Sequence, residues 1–202
     1  MSEPGRPQGP PPFHAERLLI LATGSLGAAF LPYWLNWLRH SYRSLDVRVV
    51  VTRNAERFVS RQAVAGLIGK DVPLDAWPDA PEPESPHVDY AGWPDTVMVY
   101  PATYHFLGRF ANGLADTPML LALQCTSALI GIAPALPPGA THSYAYRQHR
   151  TAIEGRPNVV VVDPLPVLST HTRGRDALGA APLPTLIERL AELRATRGKE
   201  HQ

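Results

Sequence analysis

Hydroxyl residues and glycines follow two apolar runs of the sequence, and turns of this composition can bind phosphate. The first run passes into Ala22-Thr-Gly-Ser-Leu-Gly-Ala28 and the second into Thr52-Arg-Asn-Ala-Glu-Arg-Phe58. Glycine lets the backbone approach an anion, hydroxyls donate to its oxygens, and a following helix N-terminus favours negative charge. A structural turn explains the first segment about as well, and a helix start explains Thr52. Together, however, Gly24, Ser25 and Thr52 favour a mononucleotide site.

A histidine stands just before a third apolar run, in Pro86-His-Val-Asp-Tyr-Ala-Gly-Trp-Pro-Asp95. Imidazole titrates near neutral pH and can serve as a general base, although an isolated histidine is more often structural or solvated. His87 is therefore a candidate catalytic residue that needs support from its surroundings.

The elements that must position these residues alternate between strands and helices. Nearly continuous apolar runs, typical of strands covered on both faces, occur at residues 17–23, 47–52, 96–100, 128–133 and 158–163. Helical spacing occurs between them, at Leu26 to Leu38, Leu107 to Leu114 and Leu183 to Leu193. This alternation predicts a doubly wound α/β domain with a parallel, Rossmann-like sheet and a ligand crevice at the carboxyl ends of the strands. Pro32 predicts a late start or a kink in the first helix.

The chain of 202 residues is predicted to form one folded domain. Residues 1–14 are proline-rich and predict a disordered arm, residues 15–196 form the domain, and residues 197–202 form a frayed tail. Residues 72–86 combine prolines with acidic side chains and predict a long surface loop.

Charge and cysteine content narrow the classes of function. A formal net charge of +1 provides no global field to attract nucleic acid or an anionic membrane, and no apolar run is long enough to span a bilayer. The single cysteine excludes an intrachain disulfide, which fits a reducing compartment and indicates a cytoplasmic protein. It also excludes a cysteine-based metal site, and no metal is expected. The neighbours of Cys125 predict a buried, inert thiol rather than a reactive one.

Three neighbouring segments make a more specific signature. His87-Val-Asp-Tyr-Ala-Gly-Trp-Pro-Asp95, Pro101-Ala-Thr-Tyr-His-Phe106 and Ala111-Asn-Gly-Leu-Ala-Asp116 follow one another in the sequence. They resemble the signature of the homo-oligomeric flavin-containing cysteine decarboxylases, a flavoprotein family that includes the phosphopantothenoylcysteine and the epidermin-type peptidyl-cysteine decarboxylases. The two phosphate-type turns resemble the flavin-binding turns of the same family, in the same order. The resemblance covers roughly residues 17–135.

This resemblance implies an FMN-dependent enzyme that oxidatively decarboxylates the C-terminal cysteine of a ribosomally made precursor peptide and leaves an aminoenethiol. Hydride removal from the cysteine side chain would give a thioaldehyde β to the carboxylate, and carbon dioxide would then leave. The resemblance assigns proton transfer to His87. It assigns FMN contacts to Gly24, Ser25 and Thr52, and it places Pro101, Ala102 and Thr103 along the flavin.

The family also implies a homo-oligomer built from trimers, with a dodecamer as one form, in which each flavin site is completed across an interface. Large aromatic residues such as Trp34, Trp37, Tyr104 and Phe106 are candidates for that interface, although core packing explains some of them.

The sequence departs from the family pattern in the substrate region. His105 replaces the asparagine of the flavin motif, and Pro137 stands where the decarboxylases carry the asparagine that holds the substrate carboxylate. Candidate replacements for that donor are His142 and Arg147. In the segment where relatives have a substrate clamp, Arg173 and Arg175 could pair with a peptide carboxylate, because guanidinium matches that group. An ordinary solvated loop is an equal alternative for this segment.

Two other functions remain open from the sequence. A flavin-binding homologue without decarboxylase activity, acting as a partner or regulatory subunit, is favoured by Pro137 and disfavoured by the retained His87. An NAD-binding module is the weaker alternative, because the glycine fingerprint of dinucleotide-binding proteins is incomplete.

Overall fold

A computed structural model describes residues 9–80, 83 and 85–200 of the chain. Five parallel strands form one sheet in the order β2-β1-β3-β4-β5. The strands are β1 (Arg17–Ala22), β2 (Asp46–Val51), β3 (Thr96–Thr103), β4 (Leu129–Ala135) and β5 (Val159–Val161). The predicted α/β fold is therefore confirmed. In this order the chain reverses its winding direction between β1 and β3, which is where ligands bind in open α/β sheets.

Helices cover both faces of the sheet, and this explains why the strands are apolar on both sides. The helices are α1 (Leu31–Ser41), α2 (Arg61–Ile68), α3 (Pro86–Gly92), α4 (Tyr104–Ala111), α5 (Pro118–Cys125), α6 (Tyr144–Glu154) and α7 (Leu183–Glu200). Leucines of α1 and α7 pack on one face, while aromatic and aliphatic residues of α4, α5 and α6 pack on the other. Burial of both faces by continuous apolar runs stabilises one hydrophobic cluster on each side of the sheet.

Pro32 sets the start of the first long helix. Residues Leu26–Phe30 form a 3-10 turn, and α1 then begins at Leu31 with Pro32 in its first turn. Proline is tolerated there because the first amides of a helix have no intrahelical acceptor. The late start that the sequence predicted is confirmed.

The proline-rich loop after α2 is attached to the domain at several points. Leu74 pairs with Val51 of β2, a carboxylate oxygen of Asp75 accepts from the backbone N–H of Met119, and Trp77 Nε1 donates to the carbonyl of Asp116 at 3.0 Å. Burial raises the pKa of Asp75. These contacts attach residues 74–77 of the loop to the domain.

The structure describes part of the predicted N-terminal arm and part of the predicted C-terminal tail. Phe13 packs edge-on against Tyr42, whose hydroxyl donates to the carbonyl of Pro11 at 2.7 Å, so this part of the arm is docked on the domain. The arm's first eight residues lie outside the described part of the chain. Helix α7 continues through residues 197–200 of the predicted frayed tail.

Cys125 is the last residue of α5 and is exposed, so the prediction of a buried thiol is wrong. The helix ends as the chain turns towards β4, and the apolar neighbours of Cys125 in sequence point inwards while its own side chain does not. No described helix is long and apolar enough to cross a membrane.

Candidate active site

A cleft of about 900 Å³ opens at the carboxyl edge of the sheet, beside the reversal point between β1 and β3. Its volume lies in the usual range of small-molecule sites. Five chain segments line it: residues 24–27 after β1, the start of α1, the turn from β3 into α4, the end of β4, and a hairpin before α7. The walls are mainly apolar and aromatic, which suits a planar ligand.

The side chain of Thr23 joins the ends of β1 and β3 behind this cleft. Its hydroxyl donates to the carbonyl of Pro101 at 2.7 Å and accepts from the backbone N–H of Thr103 at 2.9 Å. Thr23 is 2% exposed, so these bonds are protected from water. They hold the first predicted turn and the Pro-Ala-Thr segment in one fixed arrangement.

Gly24 lies directly against the second predicted turn. A Cβ atom on Gly24 would be 2.5 Å from Cβ of Asn54 and 2.8 Å from its carbonyl carbon. Those separations are far inside van der Waals contact, and the second involves backbone that cannot move aside alone. Only glycine therefore allows the two turns to meet.

Two hydroxyls of these turns have no partner among the described residues. Ser25 Oγ and Thr52 Oγ1 are both buried and make no hydrogen bond. A buried hydroxyl without a partner is costly, so a ligand that accepts from it is favoured. Ser25 lines the cleft, whereas Thr52, one residue past β2, is not among the lining residues.

The turn from β3 into α4 forms the adjoining wall. Thr103 caps α4 by accepting from the N–H of Phe106 at 3.3 Å, and Thr103, Tyr104 and His105 line the cleft. Pro101 and Ala102 are buried behind them. The Tyr104 hydroxyl lies 3.0 Å from Ser143 Oγ, which fixes its ring.

A two-stranded hairpin that the sequence did not predict closes another side of the cleft. It consists of β6 (Leu165–Val167) and β7 (Ala177–Gly179), and an antiparallel bridge between Leu136 and Leu178 attaches it to the end of β4. Pro137 follows that bridge and lines the cleft. The predicted clamp segment is thus the loop between these two strands.

Burial raises the pKa values of two tyrosines, one in the wall of the cleft and one beside it. Tyr100 lines the cleft and donates its hydroxyl to the carbonyl of Ala181 at 2.9 Å, and burial raises its pKa well above the usual range. Burial also raises the pKa of Tyr146, which stacks against Tyr104. These phenols are neutral at physiological pH and serve as rigid packing surfaces.

His87 lies in the first turn of α3 and is absent from the lining of this cleft. Its ring packs edge-on against Trp77 with 5.5 Å between centroids. The Nδ1 atom is buried and has no partner among the described residues. Within one protomer, His87 and the cleft are therefore separate features.

The structure brings only some of the predicted site residues together. Gly24, Ser25, Thr103 and His105 line the cleft. The other predicted flavin contacts do not, nor do the four predicted substrate ligands; these residues are Thr52, Pro101, Ala102, His142, Arg147, Arg173 and Arg175. Arg147 folds back and donates to the carbonyl of His142 at 2.7 Å, while Arg173 and Arg175 are exposed in the hairpin loop.

Several cleft residues were missed by sequence reasoning. They are Phe30, Tyr33, Trp34 and Tyr100, which have the spacing of core residues, together with His171 of the hairpin loop. In the described part of the chain, no group of three or more histidine, cysteine, aspartate or glutamate side chains is placed to hold a metal.

Comparison with known proteins gives a consistent result. A family model described as Flavoprotein matches residues 12–191. The chain is 37% identical over 125 residues to the cypemycin cysteine dehydrogenase (decarboxylating) of a Streptomyces species, covering 62% of this chain and 66% of that protein. It thus spans slightly less than two thirds of this relative, and a smaller share of the bifunctional coenzyme A biosynthesis proteins that it also matches.

Solved structures share the fold over nearly the whole domain. The cypemycin decarboxylase CypD superposes with a TM-score of 0.76 at 29% identity, covering 93% of this chain and 98% of that one. The FMN-dependent cysteine decarboxylase TvaF from thioviridamide biosynthesis superposes with a TM-score of 0.64 at 25% identity, covering 73% of this chain and 90% of that one.

Proposed function

The chain belongs to the Flavoprotein family, and from that premise we propose that it is an FMN-dependent oxidative decarboxylase of the C-terminal cysteine of a ribosomally made precursor peptide. The observation that carries the proposal is the cleft beside the reversal point between β1 and β3, where the Ser25 hydroxyl has no partner among the described residues. The similarity to decarboxylases that act on cysteine supports the choice of reaction.

FMN fits the residues present. Gly24 lets the two turns meet, so that the free Ser25 hydroxyl and the buried Thr52 hydroxyl lie in adjoining turns, as a phosphate site requires. Thr103 and His105 contribute the polar groups of the opposite wall, with Pro101 and Ala102 buried behind it. When bound, FMN supplies an oxidant for the cysteine side chain.

The protein's own contribution is to bind and orient the peptide. Removing a hydride from Cβ and a proton from sulfur converts the cysteine into a thioaldehyde, whose thiocarbonyl is β to the carboxylate. The C–C bond to the carboxylate then breaks, carbon dioxide leaves, and its electron pair forms the enethiolate. The apolar cleft limits water around these steps, and His87 is proposed to transfer the proton.

A homo-oligomer built from trimers completes this proposal. Large apolar side chains are exposed next to the cleft at Phe30 and Tyr33, and next to His87 at Trp77 and Val88. Contiguous exposed apolar surface marks an interface, and a cyclic trimer would apply the second surface to the first of the next protomer. His87 would then act at a neighbour's cleft. A cytoplasmic location, which fits the single cysteine, is part of the same proposal.

A direct assay tests the proposed reaction. The FMN-loaded protein is incubated with peptides that end in cysteine, and product mass is measured. We expect the combined loss of carbon dioxide and two hydrogens, and no change in the same peptide ending in serine. An unchanged cysteine peptide, with FMN bound, would contradict the proposal.

A second candidate is a flavin-binding subunit without decarboxylase activity. Pro137 favours it, because proline at this wall of the cleft supplies neither a side-chain donor nor a backbone N–H for a substrate carboxylate. This candidate predicts FMN binding without any mass change in the cysteine peptide.

Replacing the orphaned hydroxyls should separate cofactor binding from folding. In Ser25→Ala and Thr52→Ala, we expect the FMN-free protein to keep or slightly gain stability, because a buried hydroxyl without a partner is removed. FMN affinity should fall by about tenfold for each variant, equivalent to one hydrogen bond. Flavin fluorescence titration and thermal melting measure the two effects. A stability loss with unchanged FMN affinity would show that both hydroxyls are merely structural.

Gly24→Ala should act on the geometry of the turns instead. The added Cβ meets the backbone of Asn54, so the two turns must separate, and we expect a stability loss of roughly 1–3 kcal/mol and loss of most FMN binding. Gly66→Ala is the control, because nothing lies within 4 Å of its Cβ position. Gly66 lies inside α2, so alanine there should stabilise by about 0.5–1 kcal/mol and leave FMN binding unchanged. Normal FMN affinity in Gly24→Ala would contradict the proposed role of this turn.

A further inference from the structure

The cleft contains few groups that could neutralise a substrate carboxylate. Its lining includes two histidines, His105 and His171, and neither lysine nor arginine. A carboxylate that leaves water must be hydrogen-bonded or paired with a cation. Such a donor is missing after β4, where Pro137 and Pro138 line the cleft and neither has a backbone N–H.

The hairpin loop is folded so that one of these histidines reaches the cleft. Ser169 is 5% exposed, and its hydroxyl accepts from the N–H groups of His171 at 3.3 Å and Thr172 at 3.2 Å. Its own N–H donates to the carbonyl of Gly174 at 2.7 Å, and its carbonyl accepts from the N–H of Arg173. Since these bonds tie the loop around one buried side chain, the position of His171 is set by the loop itself.

The same loop keeps its arginines away from the cleft. Arg173 adopts a positive φ of 58°, which turns the chain, and neither Arg173 nor Arg175 lines the cleft. The side chain of this loop that lines the cleft and can carry a positive charge is the imidazole of His171, which is exposed on the wall that it shares with Ser169 and Thr170.

His105 lines another wall of the cleft, within the segment assigned to FMN, whereas His171 belongs to the hairpin that the bridge between Leu136 and Leu178 attaches next to Pro137. Neither histidine forms a salt bridge in the described part of the chain. His171 is thus the cleft histidine on the side where Pro137 leaves the donor missing.

We propose that His171 binds the C-terminal carboxylate of the substrate peptide, in place of a donor at Pro137. The inference rests on the proposed function and names the residue that determines specificity for a free C-terminus. A protonated imidazole supplies both a charge and a donor, so a carboxylate is preferred over the neutral amide of the same peptide.

The test uses binding rather than turnover. FMN-loaded protein is titrated by calorimetry with peptides ending in serine, which cannot be oxidised as cysteine is, carrying either a free carboxylate or a C-terminal amide. We expect the parent to prefer the free acid by about tenfold to a hundredfold, as a hydrogen bond to a charged group provides. His171→Ala should lose most of this preference, because alanine supplies neither a charge nor a side-chain donor. His14→Ala is the control, because His14 is exposed and precedes β1 at the opposite edge of the sheet.

Two results would overturn the inference. One is an unchanged acid preference in folded, FMN-loaded His171→Ala. The other is loss of the preference in an Arg173→Gln, Arg175→Gln double variant that retains His171, which would assign the carboxylate to the arginines. The decarboxylation assay is independent: a parent that prefers the acid through His171 but leaves cysteine peptides unchanged supports this inference and contradicts the proposed function.

Discussion

The His87→Asn variant is expected to bind FMN with nearly normal affinity and to turn over cysteine-terminated peptide about a hundred to ten thousand times more slowly. That range is typical for the loss of a general acid or base. FMN affinity should be preserved because the turns that carry Ser25 and Thr52, rather than His87, are proposed to hold the flavin. Asparagine keeps a polar group of similar size but does not titrate near neutral pH. Turnover, flavin binding and thermal melting are measured on the same preparation.

A purely structural His87 would behave differently. Its ring packs against Trp77, so its replacement would lower the melting temperature, and activity would fall only in proportion to folded protein. Trp77→Phe provides the matched comparison, because it keeps an aromatic neighbour for His87 while removing the Nε1 donor to Asp116. Full turnover in a stably folded His87→Asn protein would rule out the proton-transfer role.

The sheet was predictable from the sequence because each strand is buried on both faces. Runs such as residues 17–23 and 47–52 are apolar without alternation, and the structure places them side by side in the interior. Helix starts were predictable where a specific residue determines them, as at Pro32.

The hairpin was not predictable, because its strands carry little signal of their own. Each has three residues, Pro166 interrupts the first, and both rely on the bridge to Leu136 for attachment. The sequence therefore identified the segment of the clamp, but not the fold of the loop between β6 and β7. As a result it selected Arg173 and Arg175 by their charge, whereas the fold of the loop places His171 on the cleft.

Helical spacing also did not distinguish the different roles of the aromatic residues. Trp37 and Phe106 were candidates for an interface, but Trp37 packs against the core and Phe106 is 3% exposed. Phe30 and Tyr33, by contrast, are more than half exposed beside the cleft. Periodicity identifies the face of a helix that is apolar, but it cannot distinguish a core from a site or an interface when the apolar face is wide.

Mixing two inactive variants should restore activity if His87 serves the cleft of a neighbouring protomer. Gly24→Ala protein retains His87 but has a disrupted flavin turn, and His87→Asn protein has an intact cleft without the histidine. In every trimer that contains both variants, one of the three clefts has an intact flavin turn and faces a protomer that retains His87. About a third of the parental activity is therefore expected after mixed trimers are selected, because the cyclic interface pairs each cleft with one neighbour.

The two variants are co-expressed with different affinity tags, and particles carrying both tags are purified in two steps, so that mixed oligomers are certain to be present. Each variant alone, purified through the same steps, defines the background. If His87 instead acts on the cleft of its own chain, every protomer in the mixture carries one defect and activity stays at background. That result in verified mixed oligomers would contradict the shared site. An active mixture would also explain why the buried Nδ1 of His87 has no partner among the described residues of its own protomer: its environment is completed only when the next protomer is in place.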